Sequence, residues 1–224
     1  MRKYFFLLAL ISASSLCSGQ TKVYLTGGYF SYQYHNVNYY SQLTPPLFVG
    51  LEVDKYIGYH YAITTGINYF RAGYDDYYIT NDTRINYQWK NNFLQIPLGI
   101  KLASKGDILG IMVGVNFNVL LNSSLHELAD SLNNYTNYIT TDVTSAFSRI
   151  QPDFFFGLQG RASRFTVSLR ISTSLTNRYS TKVKDITDNT SAYYGSYYAY
   201  ILGKEEDNKL KTFGAQLSLS IRLF

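Results

Sequence analysis

Three histidines, His35, His60 and His126, are the side chains of this 224-residue chain best suited to bind a metal or move a proton near neutral pH. They have no cysteine companions and no ligand spacing, so neither a metal site nor a cofactor is expected. A catalytic triad built from His60 and one of many serines lacks the Gly-x-Ser-x-Gly elbow that would present the nucleophile. The chemistry left over is polar residues, with charges of both signs, placed at alternating positions among apolar ones: Glu52, Asp54, His60, Gln95, Lys101, Gln159, Arg161, Arg170 and Arg222. Both signs on one face of a sheet suit either mutual neutralisation inside a closed structure or a narrow ion path through it.

The elements that would carry these residues are strands. From Phe213 the odd positions read Phe213, Ala215, Leu217, Leu219, Ile221 and Leu223, while the even ones read Gly214, Gln216, Ser218, Ser220 and Arg222. The same period of two recurs over 47–54, 59–70, 93–102, 111–119, 153–162 and 165–175, in stretches of about ten residues. With 22–32, where the alternation does not fix the phase, there are eight candidates. Their connections, 33–45, 56–58, 71–91, 103–108, 121–152, 163–164 and 177–210, alternate long and short. Short periplasmic turns and long external loops have this asymmetry in outer-membrane barrels, whereas a soluble sandwich has no reason for it. The expected fold is all-β: an eight-stranded antiparallel up-and-down transmembrane β-barrel with long extracellular loops and short periplasmic turns. Hydrocarbon offers no hydrogen-bond partners, so such a sheet must close on itself. At eight strands the bore is only wide enough to be filled by side chains.

Composition agrees. Charged residues are 16% of the chain, against roughly 25% in ordinary soluble domains. The run Phe5 to Ile11 is too short to span a membrane as a helix. With Arg2 and Lys3 before it and small residues after it, it marks residues 1–19 as a signal peptide cleaved after Gly19, leaving 20–224 as the barrel domain. A lipoprotein reading through Cys17 is disfavoured by Leu16 directly before it. Cleavage leaves 18 basic and 15 acidic residues, a net charge of +3, which is too small to argue for nucleic acid. It also leaves no cysteine, as suits the outer membrane of a Gram-negative bacterium, with its lipid as the surrounding partner.

Aromatics make up 17% of the chain. Tyr59, Tyr61, Tyr69, Phe93, Phe165 and Phe213 fall near strand ends, where amphipathic rings favour the headgroup level. Tyrosines in the predicted loops, Tyr77, Tyr78, Tyr193, Tyr194, Tyr197 and Tyr198 among them, offer a stiff external binding surface or extend the strands above the membrane. Segment 123–133 has Leu125, Leu128, Ala129 and Leu132 at helical spacing and suggests either a short helix over the mouth or a structured extracellular loop without a partner. Pro97, which cannot donate to a ladder, predicts a local bulge.

Two segments carry a family resemblance. FLQIPLGIKL, from Phe93 to Leu102, resembles the aromatic-x-x-Ile-Pro-Leu strand of PorT-like outer-membrane β-barrel proteins, and KTFGAQLSLSIRLF, from Lys211 to Phe224, resembles their closing strand. The resemblance implies recognition of the terminal Phe224 by the barrel-assembly machinery. It also implies an accessory role in protein secretion across the outer membrane, with envelope or secretion proteins as partners. The residues themselves point to a non-enzymatic envelope-structural or surface-binding barrel. A lipid-modifying enzyme is the remaining reading.

Overall fold

The computed structural model describes residues 20–35, 47–80, 83–130, 136–142, 144, 147–176 and 211–223. Within them lie β1 (Thr21–His35), β2 (Leu47–Tyr56), β3 (Tyr61–Thr80), β4 (Thr83–Ala103), β5 (Leu109–Asp130), β6 (Thr136–Asp142), β7 (Ile150–Ala162), β8 (Phe165–Ser174) and β9 (Lys211–Arg222). Every pairing is antiparallel. The ring runs β1–β2–β3–β4–β5–β7–β8–β9 and returns to β1, which gives a closed barrel of eight strands. The remaining strand, β6, pairs with the outer part of β5, from Ser124 to Asp130, while β7 pairs with its lower part, from Leu109 to Val119. The two therefore share one position around the ring.

Alternation decides which face each residue takes, because a slip of one residue would put the whole apolar set into the lumen. On β8 the burial pattern alternates without a break, with Phe165, Val167, Leu169 and Ile171 outward and Thr166, Ser168, Arg170 and Ser172 inward. On β3 the outward set runs Tyr61, Ile63, Thr65, Ile67, Tyr69 and then Arg71. The eight residue steps from Tyr61 to Tyr69, tilted as barrel strands are, rise about 21 Å, near the ~25 Å apolar band of outer-membrane barrels. The tyrosines thus stand at the two headgroup levels. The phase that the sequence left open on β1 is settled with Lys22, Tyr24, Thr26 and Phe30 buried and Leu25 and Tyr29 exposed.

Several expectations need correction. β3, β4 and β5 are 20, 21 and 22 residues long, not ten. Segment 71–91, read as a loop, is mostly the outer half of a hairpin paired from Arg71↔Asn92 up to Thr80↔Thr83. Most of 123–133 is strand rather than helix, since Ser123 to Asp130 pair with β4 and the same stretch from Ser124 pairs with β6. Backbone pairing on both sides outweighs the helical spacing of the leucines. The bulge is not at Pro97. The β3–β4 register is the same on either side of Pro97, where only the pairs at Ile96 and Pro97 drop out. The register shifts instead at Asn92/Phe93 on β4, where Leu121 is the extra residue on β5. That residue reverses the phase of β5, so Leu120 and Ser123 both point inward while Leu121 and Asn122 are exposed.

Room in the lumen comes from glycine. A Cβ on Gly114 would collide with the Leu98 carbonyl oxygen and lie 2.5 Å from Gly99 Cα and 2.9 Å from the Phe155 ring. A Cβ on Gly160 would meet nothing within 4 Å. Gly114→Val is therefore expected to abolish assembly or sharply lower the unfolding temperature in detergent, and Gly160→Val to do neither. Equal behaviour of the two variants would contradict the packing described.

Candidate functional site: a filled polar lumen

The turn between β4 and β5 closes the lumen from the periplasmic side. Gly106 and Asp107 take positive φ, 77° and 59°, a region that glycine enters freely and aspartate tolerates. This backbone carries the Asp107 carboxylate into the barrel mouth, where it is 5% exposed. Three cations meet it: Lys22 Nζ at 3.0 Å and Arg161 Nη1 at 2.8 Å on Oδ2, and Lys101 Nζ at 3.0 Å on Oδ1. Lys101, fully buried, also donates to Asp54 at 2.7 Å, and the Thr64 hydroxyl donates to Asp54 at 2.6 Å. The Lys22 ammonium lies 4.2 Å from the centre of the Tyr56 ring. Burial opposes ionisation of Asp107, but the Tyr56 hydroxyl and the Lys101 and Lys22 ammonium groups outweigh it and hold the carboxyl down at about 2.

Above this cluster Arg170 and Glu52 form a two-pronged pair, each bond 2.6 Å, with the guanidinium over the Phe155 ring. Asn68 donates to Glu52 and to Gln95, each at 3.3 Å. Gln95 donates to Asn118 at 3.1 Å, and Asn118 donates to Asp153 at 2.6 Å. Beside this chain Phe70 sits edge-on to Phe30 and stacks on Phe93, with centroids 4.8 and 5.1 Å apart. Higher still, the Ser123 hydroxyl donates to Asn91 at 2.5 Å, its N–H donates to Thr144 at 2.8 Å, and Phe147 is buried. Side chains of the described residues thus fill the bore from Asp107 up to Ser123 and Phe147. Lys22, Lys101, Arg161 and Arg170 balance Glu52, Asp54, Asp107 and Asp153 in charge.

The structure places the sequence-predicted residues unevenly. Glu52, Asp54, Lys101 and Arg170 are buried in the lumen, and the Arg161 side chain is 9% exposed there. His60 is not an interior residue. It lies in the exposed turn before β3, its Nδ1 3.0 Å from the Ala103 carbonyl oxygen, because the strand read over 59–70 begins only at Tyr61 and its phase does not reach back to His60. Arg222 is half-buried at the end of β9, without a carboxylate at ion-pair distance among the described residues. Phe93 is an interior residue rather than part of the girdle, since it shares the inward phase of Gln95. Tyr77 and Tyr78 lie on the outer part of β3. Tyr193, Tyr194, Tyr197, Tyr198 and Phe224 lie outside the described residues. Lys22, Asp107 and Asp153 were missed. Among the described residues no group of three or more His, Cys, Asp or Glu side chains could hold a metal ion.

Comparison with known proteins places the chain. Residues 18–180 match the family described as outer membrane protein beta-barrel domain. No curated protein matches the chain in sequence. Solved structures similar to it include the attachment invasion locus protein Ail of Yersinia pestis, bound to the heparin analogue sucrose octasulfate, at 8% identity and TM-score 0.40 over 92% of this chain and 99% of that one. Others are Neisserial surface protein A, at 6% identity and TM-score 0.40 over 90% and 96%, and CarO of Acinetobacter baumannii, at 11% and 0.43 over 93% and 98%. At these identities and TM-scores, nothing about those proteins' ligands or roles carries over. The chain belongs to the outer membrane protein beta-barrel domain family, as a closed eight-stranded barrel of the Gram-negative outer membrane.

Proposed function

We propose that the protein is non-enzymatic: a sealed barrel that serves the envelope structurally and holds Tyr-rich segments outside the cell for binding. The filled, charge-balanced lumen is the observation that supports this reading, because it leaves the outer strands and their connections as the parts free to act. β3 and β4 continue about ten residues beyond Tyr69 and Leu94, raising Tyr77 and Tyr78 above the apolar band. In planar bilayers the purified protein is expected to give no discrete conductance steps; steady ohmic steps would contradict a sealed scaffold. Deleting residues 185–203, which removes Tyr193, Tyr194, Tyr197 and Tyr198, should leave the barrel assembled and abolish binding to surface partners, and full retention of binding would count against these tyrosines.

An accessory role in secretion rests on the likeness of Phe93–Leu102 to the strand of PorT-like barrels. It predicts copurification with other envelope proteins after gentle extraction, and a lone monomer would count against it. Export through a signal peptide ending at Gly19, and assembly through Phe224 by the barrel-assembly machinery, complete the reading. Sequencing of the mature N-terminus from Gln20 tests the first of these.

A further inference from the structure

At the external headgroup level the outward face of the barrel changes from apolar to a hydrogen-bonded polar ledge. On β3, Tyr69 and Arg71 both point outward, and the Tyr69 hydroxyl and Arg71 Nε each donate to Asn92 Oδ1 at 2.9 Å. The Asn92 amide in turn donates to Asn122 Oδ1 at 2.5 Å. Asn122 faces outward because Leu121 is the bulged residue of β5. At the next position around the ring the exposed Arg149 donates to the Leu120 and Leu121 carbonyl oxygens at 3.4 and 3.1 Å. Two guanidinium groups therefore flank a pair of asparagines across four adjacent strand positions, a span of about 14 Å. Asp142, which feels the Arg149 charge, is turned to its own Thr144, accepting from the N–H at 2.9 Å and the hydroxyl at 2.5 Å.

This ledge lies directly above Leu94 and Ile96 on β4, which face the hydrocarbon. An anion bound there must itself be attached to acyl chains, and it must carry charge spread widely enough to reach both arginines. Arginine's planar fork suits phosphate oxygens, and its Nε bond to Asn92 holds Arg71 in place beforehand. We propose that Arg71, Asn92, Asn122 and Arg149 form a binding site for a phosphorylated sugar headgroup of the outer-leaflet glycolipid. The two arginines take its phosphates and the asparagines its hydroxyls.

The test uses the full-length protein in neutral detergent micelles doped with diphosphorylated lipid A, dephosphorylated lipid A or phosphatidylglycerol at equal phosphate or lipid content. The readout is the temperature at which the folded band converts to the unfolded one on a gel. Diphosphorylated lipid A is expected to raise this temperature for the wild type and for Lys105→Gln, whose cation lies in the opposite, periplasmic turn. The double variant Arg71→Gln/Arg149→Gln, with the rise measured from its own lipid-free temperature, should lose more than half of it. An equal rise in the double variant, or no rise in the wild type, would overturn the site. A rise with phosphatidylglycerol as large as with lipid A would overturn the assignment to the glycolipid.

Discussion

Replacing Arg170 with alanine is expected to lower the unfolding temperature of the barrel in detergent more than any exposed substitution does. The side chain is 2% exposed and makes both of its charged bonds to Glu52. Its loss leaves Glu52, 7% exposed, with only the Asn68 amide at 3.3 Å. A buried charge that loses its partner costs about 3–5 kcal/mol, a large part of the 5–15 kcal/mol that typically separates folded from unfolded domains. Arg170→Met keeps most of the volume and should be nearly as damaging, while adding Glu52→Gln should recover most of the loss. An unchanged unfolding temperature in Arg170→Ala, or no recovery in the double variant, would show that the pair does not carry this weight.

Asp107→Ala should be comparably destabilising for the opposite reason. It leaves Lys22, Lys101 and Arg161 crowded at the periplasmic mouth with Asp54 as the one remaining carboxylate of the cluster. The expected cost is again about 3–5 kcal/mol, read as a fall in the urea concentration that unfolds the protein in vesicles. The same carboxylate gives the barrel an acid-sensitive component. Its folded pKa of about 2 lies below its ordinary 3.8, so its contribution is complete above about pH 4 and fades as the pH falls toward 2. Asp107→Asn should remove that part of the acid dependence. A variant whose stability falls between pH 4 and 2 as steeply as the wild type's would place the titrating group elsewhere.

The lower half of every ring strand but β1 was legible because one face meets hydrocarbon and the other meets a packed lumen, which forces strict alternation over residues such as Leu94 to Leu102, whereas β6 lies wholly within the predicted loop 121–152. Above the apolar band both faces of β3 and β4 lose that constraint, and the run from Arg71 to Lys90, rich in Tyr, Asp and Asn, then reads as loop. Its strand character comes from pairing with a neighbour, which no local pattern carries. Within the lumen Lys22 was hidden by Gly27 and Gly28, which blur the phase of β1. Asp107 was hidden because a turn has no phase to read. A signal for it did exist in the charges. The interior set assigned by strand phase held Lys101, Arg161, Arg170 and Arg222 against Glu52 and Asp54, an imbalance that calls for further carboxylate near the same end.

The central claim is a closed barrel whose outer hairpins face the outside of the cell and whose short turns face the periplasm. Single cysteines test it most directly, since Cys17 is the one cysteine of the chain. Asp82→Cys falls in the sequence between Thr80, the last residue of β3, and Thr83, the first of β4, and Gly58→Cys sits in the turn between β2 and β3. A maleimide that cannot cross the outer membrane should label the first in intact cells and the second only after the outer membrane is opened. Labelling of Gly58→Cys in intact cells with Asp82→Cys protected, or equal labelling of both, would contradict the topology.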